Sequence, residues 1–436
     1  VSSAKFDPLT SAAPLIAYLD YKSTYAYLAK DVTYALADEL GIEIDWRPFT
    51  LDIPSYLGSA RLDTSGRVVE NQRSGGQWNR VRYAYRDGRR YGAPRGLVVR
   101  GTTKTWDSSL AGIGMLWAKA QGKAILRAYT DLVYDRFWKR ELDIEDAGVI
   151  ERVLREAGAP TADFRAYAAG PGRALHDEIQ QAAFDAGIFG VPTYILEGER
   201  FFGREHLPRI RWMLTGRHGP PPDVAYEDFE NPVGAARKTL TVAIDFRNPY
   251  ALLAIEPTCR MAEEVGVAVD WLPFFVSPWR RRSAPSNADD RGTRHRRFRA
   301  EYAEREVWTY ASDRGLALGN LYRDTDSTLA AIGLLWARRE SASMAQPYVQ
   351  RVFDRYWREE LDIQDEKALR ALMADIGIPV SGFGAFAAGD GRAEVERLQS
   401  ELVAAGVFDV PTYRLDDELF VGRQHLPHVR SLLARA

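Results

Sequence analysis

The chain has one cysteine in 436 residues, Cys259. A lone thiol excludes an internal disulfide framework, a Cys-x-x-Cys redox pair and any cysteine-rich metal site. Thiol or redox chemistry here must therefore import its thiol. Long apolar runs are also lacking, and none approaches the ~20 residues that a membrane-spanning helix needs. Charge of one sign is missing too: 58 basic against 60 acidic residues leaves a net charge of −2. That balance gives no reason to expect nucleic acid or an anionic membrane as a partner. The first residues, Val1 to Asp7, lack the apolar centre of a secretory leader, so the cytoplasm is the expected location. The recurring His206 and His425 read as isolated histidines, so no metal is expected. A buried histidine capping a loop is the expected role for both.

What is present is a duplication. A length of 436 residues exceeds one ordinary core and predicts two domains. Leu19-Asp20-Tyr21-Lys22-Ser23-Thr24-Tyr25-Ala26 matches Ile244-Asp245-Phe246-Arg247-Asn248-Pro249-Tyr250-Ala251, at an offset of 245 − 20 = 225. Trp106-Asp107-Ser108-Ser109 matches Thr325-Asp326-Ser327-Thr328, at 326 − 107 = 219, so the first copy carries about six extra residues in between. A period above 200 residues means two whole domains and not a solenoid. The composition places a first domain over 1–215, a linker over 216–239 around Gly219-Pro220-Pro221-Pro222, and a second domain over 240–436.

Both copies follow one grammar. Leu15–Tyr21 is an apolar run, expected as a buried strand, and Tyr25–Leu40 has helical spacing that stops at Gly41. Ile42–Phe49 alternates as a half-buried strand, and the stretch from about Gly75 to Gly187 is mostly helical, with starts at Asp107, Glu145 and Thr161. Thr193–Leu196 and Glu199–Phe202 form a hairpin across Glu197-Gly198, and a last helix runs from about Glu205 to Leu214. Strands joined through a helix should be parallel, with a right-handed crossover. The fold class is therefore α/β: a thioredoxin-like fold with an inserted helical domain, in two tandem copies. At the centre of each copy lies an apolar-proline turn, Phe189-Gly190-Val191-Pro192-Thr193-Tyr194 and Phe408-Asp409-Val410-Pro411-Thr412-Tyr413. A proline heading a strand cannot donate to a central ladder. The turn is either a rigid corner or a cis bond that leaves the preceding backbone free for a ligand.

These turns, with Asp20 to Leu28 and Phe201-Phe202-Gly203-Arg204-Glu205-His206-Leu207, resemble the 2-hydroxychromene-2-carboxylate isomerases. That family is related to the kappa-class glutathione transferases and, further off, to DsbA oxidoreductases. The resemblance covers nearly all of each copy. It implies a glutathione site in which Ser23 hydrogen-bonds the sulfur, Val191 beside Pro192 pairs its backbone with the cysteinyl part, and Arg204 and Glu205 hold the γ-glutamyl end. Glu205 stands where the family usually has aspartate.

Taken on its own position, Ser23 precedes a helix and suits an N-cap. The same position lets it donate to a thiolate in the field of the helix end, where a thiol of pKa ~8.5 ionises more readily. Glu205 in a first helical turn suits the macrodipole or an amino group equally. Of the many aromatics, Tyr21, Tyr27 and Trp46 are core candidates. Tyr25, Tyr56, Trp78 and Trp106 are candidates for the wall of a flat apolar pocket. Lys22 reads as a solvated side chain or as a contact to a substrate carboxylate.

In the second copy Asn248, Val410, Pro411 and Gln424 stand for Ser23, Val191, Pro192 and Glu205, and Asp409 replaces Gly190. Asparagine can donate to a thiolate as well, whereas Asp409 would repel one if it faced the site. The first copy is thus expected to work and the second to be degenerate or differently specific. The arginine-rich stretch Trp279–Arg299 reads as a solvated face, or as a patch for an anionic substrate or the other domain.

The function implied is a glutathione-dependent isomerase or transferase acting on an aromatic or polycyclic conjugated small molecule. The two copies would form an intramolecular pseudo-dimer. The other reading is a thioredoxin-like binding or scaffold protein without chemistry. Cys259, eleven residues past Asn248 (259 − 248 = 11), leaves no place for a disulfide oxidoreductase.

Overall fold

The computed structural model describes residues 6–63, 65–228, 239–282, 284–286 and 288–434. The chain start read above for a leader (residues 1–5) and residues 229–238 of the expected linker lie outside them. Two compact units emerge: Val1–Arg211 with Pro285–Ala300, and Trp212–Ala284 with Glu301–Ala436. The segment Pro285–Ala300 therefore packs in the first unit although it lies in the second half of the sequence.

The first unit is built on β1 (Leu15–Leu19), whose five residues are all buried. Burying each of its leucines and isoleucine contributes roughly 1.5–3 kcal/mol. It runs parallel to β2 (Ile44–Pro48), with Leu15 opposite Ile44 and Leu19 opposite Pro48. On its other side it is antiparallel to β5 (Thr193–Leu196), which pairs with β6 (Glu199–Phe202), so the sheet order is β2-β1-β5-β6. The crossover from β1 to β2 is α1 (Thr24–Leu40), closed by Gly41 at φ +63°, a left-handed cap that glycine adopts without a Cβ penalty. The β5–β6 hairpin turns at Glu197 and Gly198, both at positive φ, as a two-residue hairpin turn requires.

The first copy's additional residues include a feature the sequence reading did not foresee, a two-stranded ribbon of β3 (Ala60–Leu62) and β4 (Val68–Asn71). It follows the short α2 (Pro54–Leu57) and precedes α3 (Gly75–Gly92). Val68 and Val69 are each 49% exposed, so no buried face imprints a core pattern on the strands.

The helical insert continues with α4 (Ser109–Ala120), α5 (Lys123–Trp138), α6 (Ala147–Glu156), α7 (Phe164–Ala169) and α8 (Pro171–Asp185). The expected starts at Asp107, Glu145 and Thr161 fall two or three residues early: Asp107 Oδ1 accepts from the Ser109 amide at 2.9 Å just ahead of α4, and Asp146, the residue after Glu145, caps α6 by accepting from Val149 at 2.9 Å. The expected terminal helix is a short 3₁₀ turn, Arg204–His206, followed by α9 (Leu207–Leu214).

The second unit repeats this plan: β7 (Thr239–Ile244), α10 (Pro249–Val265), β8 (Ala268–Pro273), α11 (Arg291–Asp313, which belongs to this unit from Glu301 on), α12 (Thr328–Glu340), α13 (Ala345–Trp357), α14 (Glu366–Asp375), α15 (Phe383–Ala388), α16 (Asp390–Ala404), β9 (Thr412–Leu415), β10 (Glu418–Val421) and α17 (Leu426–Leu433). Its sheet order is β10-β9-β7-β8, with β7 parallel to β8 and antiparallel to β9. Among the described residues no helix is long and apolar enough to cross a membrane.

Candidate functional site

The chemistry-bearing residues of the first unit gather where β1 ends and α1 begins. Ser23 is buried and N-caps α1: its Oγ accepts from the Ala26 amide at 3.2 Å. The same hydroxyl points at the Val191 carbonyl oxygen, 3.4 Å away. The Val191–Pro192 peptide is cis. Thr193 Oγ1 braces the turn by donating to the Gly190 carbonyl at 2.7 Å, and the Pro192 carbonyl accepts from the Gly203 amide at 2.9 Å. The Val191 amide donates to no described residue. One hydroxyl, one open backbone amide and the end of a 17-residue helix thus converge. Such a group of donors favours a partly anionic ligand atom.

The turn after the hairpin lies beside this. Glu205 folds its carboxylate back over Gly203, which sits at φ +110° with no Cβ in the way. Arg204 is buried, with its guanidinium over the Tyr91 ring at 4.8 Å. Burial pushes the Tyr25 hydroxyl well above its ordinary range; Asp87 pushes it further and the Arg204 charge opposes it. Tyr25, Arg204 and Glu205 therefore share one neighbourhood. His206 is buried against Phe201, a packing histidine.

The remaining candidates make contacts of their own. Lys22 is buried, which corrects the reading of it as a solvated side chain. It is 8% exposed, its Nζ donates to the Trp106 carbonyl at 3.0 Å, and it lies 3.8 Å from the Asp20 carboxylate. Its counterpart Arg247 does the same with the Thr325 carbonyl at 3.2 Å and Asp245 at 2.8 Å. Both cations fasten the end of the first strand to the helical insert. The Trp106 ring rests edge-on against Phe137. Trp78 sits at the corner between β4 and α3, with its Nε1 on Asn71 Oδ1 at 3.0 Å and Arg73 over its ring at 5.1 Å. Tyr56, on α2, stacks on the imidazole of His295. Tyr21, Tyr27 and Trp46 are core.

The second unit keeps the scaffold and alters the donors. Asn248 caps α10, accepting from Tyr250 at 2.9 Å and Ala251 at 3.3 Å. Val410–Pro411 is cis. Here the amide corresponding to that of Val191 is taken: Val410 donates to Asp409 Oδ1 at 3.0 Å. Gln424 donates to the Val421 carbonyl at 2.9 Å. Cys259 is buried in α10 with Gln350 Nε2 3.4 Å from its sulfur, and burial pushes its thiol up to about 12. Such a thiol is inert near neutral pH.

Two buried histidines of the first unit escaped the sequence reading. His176, on α8, bonds Thr50 Oγ1 at 2.9 Å and Asp177 Oδ1 at 3.0 Å. The second copy replaces this pair with Phe275 (50 + 225) and Val395 (176 + 219). His295 belongs to the Pro285–Ala300 segment. A comparison of the two copies position by position is the sequence signal that singles both out. Among the described residues no group of three or more histidine, cysteine or acidic side chains could hold a metal ion.

A central sheet of this order, with a helix entering after the first strand and a cis-proline heading the third, defines a thioredoxin-type domain. The family of DsbA-like thioredoxin domains matches residues 15–214 and again 239–434, and the chain belongs to it, in two copies. Over 201 residues it is 24% identical to the 2-hydroxychromene-2-carboxylate isomerase of Sphingobium xenophagum, covering 45% of this chain and 98% of that protein. Among solved structures, that of a 2-hydroxychromene-2-carboxylate isomerase aligns with a TM-score of 0.35 at 21% identity, covering 43% of this chain and 90% of the other. The cytosolic disulfide reductase DsbM of Pseudomonas aeruginosa, solved with GSH, aligns with a TM-score of 0.33 at 17% identity, over 45% and 96%.

Proposed function

We propose that the first unit binds glutathione beside Ser23 and uses it to isomerise, or add to, an aromatic or polycyclic conjugated substrate in the cytoplasm. The observation that carries this reading is the open Val191 amide next to a cis-proline, with the carbonyl of the same Val191 3.4 Å from the Ser23 hydroxyl at a helix N-terminus. These donors fit a cysteinyl backbone and its sulfur. The similarity to an isomerase adds to it. Bound there, glutathione supplies a thiolate that adds to a conjugated carbon and leaves again once the former double bond has rotated, which divides one hard step into two easier ones. Ser23 keeps its cap bond through a lone pair and turns its proton to the sulfur. The Val191 amide fixes the tripeptide, and Glu205 meets its ammonium group. Tyr25, next to that turn, stays protonated and can donate.

Thermal unfolding with glutathione, and with an analogue carrying methyl for thiol, tests this. Ligand binding to the native state raises Tm. Glutathione is expected to raise Tm more than the analogue, and Ser23→Ala to erase the difference. No shift with either ligand would overturn the reading in favour of a scaffold without chemistry.

A further inference from the structure

The second sequence copy contributes to the first unit. Within Pro285–Ala300, His295 lays its ring parallel to Tyr56, with centroids 4.1 Å apart and planes at 4°. It meets Phe189 edge-on at 5.8 Å and 90°. Phe189 lies two residues before Val191 and packs in turn on Phe202 at 4.8 Å. The cis-proline turn of the first unit therefore carries a continuous run of packed rings, from Phe202 through Phe189 and His295 to Tyr56.

The segment is held in register. Arg291 lies over the Phe184 ring at 4.0 Å and 3.4 Å from Asp52, and Arg294 pairs with Asp185 at 2.5 Å. His295 is 8% exposed, and its buried Nδ1 has no hydrogen-bond partner among the described residues. Leaving such a nitrogen unpaired costs free energy that a ligand can recover. Burial and the nearby Arg299, Arg291 and Arg296 push the imidazole down to about 4, so it is neutral near pH 7. Arg299 stands one helical turn beyond His295 on α11 and is exposed. No carboxylate among the described residues forms an ion pair with it. The first copy offers no counterpart: with Tyr91 and Tyr310 equivalent beneath Arg204 and Arg423 (310 − 91 = 219), His295 corresponds to Gly76.

We propose that the Tyr56–His295 stack is the substrate wall of the first-unit site, with His295 Nδ1 hydrogen-bonding a ring substituent and Arg299 pairing with the carboxylate of a planar aromatic acid. This deepens the function proposed above by adding specificity-determining residues from the second copy. The second half of the chain then has a use that its own altered turn does not provide.

The test uses the full chain, with 1-naphthoate as probe, 1-naphthalenemethanol as its neutral counterpart, and glutathione titrated separately by calorimetry. Naphthoate should bind. His295→Gln should weaken it about tenfold, the effect of one buried hydrogen bond. Arg299→Gln should abolish the preference for naphthoate over the alcohol. Both variants should bind glutathione as the parent does. Naphthoate binding that is absent, or indifferent to both substitutions, overturns the wall even where glutathione binds. Naphthoate binding that needs His295 while glutathione fails to bind upholds the wall and overturns the thiol site. Should His295→Gln not fold, the nitrogen shift of His295 in the labelled parent decides: it moves on adding naphthoate, or the proposal falls.

Discussion

Ser23 and Asn248 do the same structural work, and this makes them a matched pair. Each is extended in backbone, buried, and accepts from the amides of the first helical turn. Replacing an N-cap with alanine costs about 1 kcal/mol. Ser23→Ala and Asn248→Ala should therefore each lower stability by about that amount in chemical denaturation. A thiol-binding role adds something to Ser23 alone: glutathione should still bind Asn248→Ala with parental affinity, and bind Ser23→Ala at least severalfold more weakly. Equal losses of affinity in the two variants would mean that the effect runs through the helix end and not through the hydroxyl. Lys22 is a warning at the same scale. Its sequence neighbours give it the look of a solvated cation, yet a carbonyl 84 residues away holds its ammonium group.

At the level of elements, the 3₁₀ turn after each hairpin presents a buried arginine to a tyrosine on a long helix, Arg204 to Tyr91 and Arg423 to Tyr310. In the second unit the pairing is explicit. Arg423 Nε bonds both oxygens of Asp223, at 3.0 and 3.1 Å, and its Nη2 lies 2.9 Å from Oδ1. Arg314 lies 3.7 Å from the same carboxylate, and the Val224 amide donates to it at 2.8 Å. Asp223→Ala leaves the buried guanidinium uncompensated, a loss of about 3–5 kcal/mol. Burial alone would raise the Asp223 carboxyl, but Arg423 and Arg314 outweigh it and hold it below its ordinary 3.8. Its folded pKa is thus depressed, so its contribution is complete above the unfolded value and disappears as pH falls through the folded one. The urea midpoint of the parent should drop below about pH 4 more steeply than that of Asp223→Ala. Parallel profiles would show that the pair contributes nothing beyond packing.

Over the whole molecule, the sequence carried the architecture twice because the duplicated strands are contiguous buried runs and the helix ends bear glycine. Both proline turns have the cis bond, which the sequence left as the alternative to a rigid corner; as turns heading a strand both were legible. The β3–β4 ribbon was not, since neither strand faces a core. His295 was not, since Tyr56, its partner, lies 295 − 56 = 239 positions away. Asp409 was half legible: the sequence marked it as the residue that changes the second turn, and marked it as a repelling anion. In the structure it also captures the Val410 amide that a ligand would need. This difference sets the expected stoichiometry. Calorimetric titration should give one glutathione per chain. Asp409→Gly restores the first copy's residue and releases the amide, and with Asn248 still available as a donor it should open a second, weaker site. Two equivalent sites in the parent would show that the Asp409 contact yields to ligand and that both copies work. A single site unchanged by Asp409→Gly would place the block at Asn248 or Gln424.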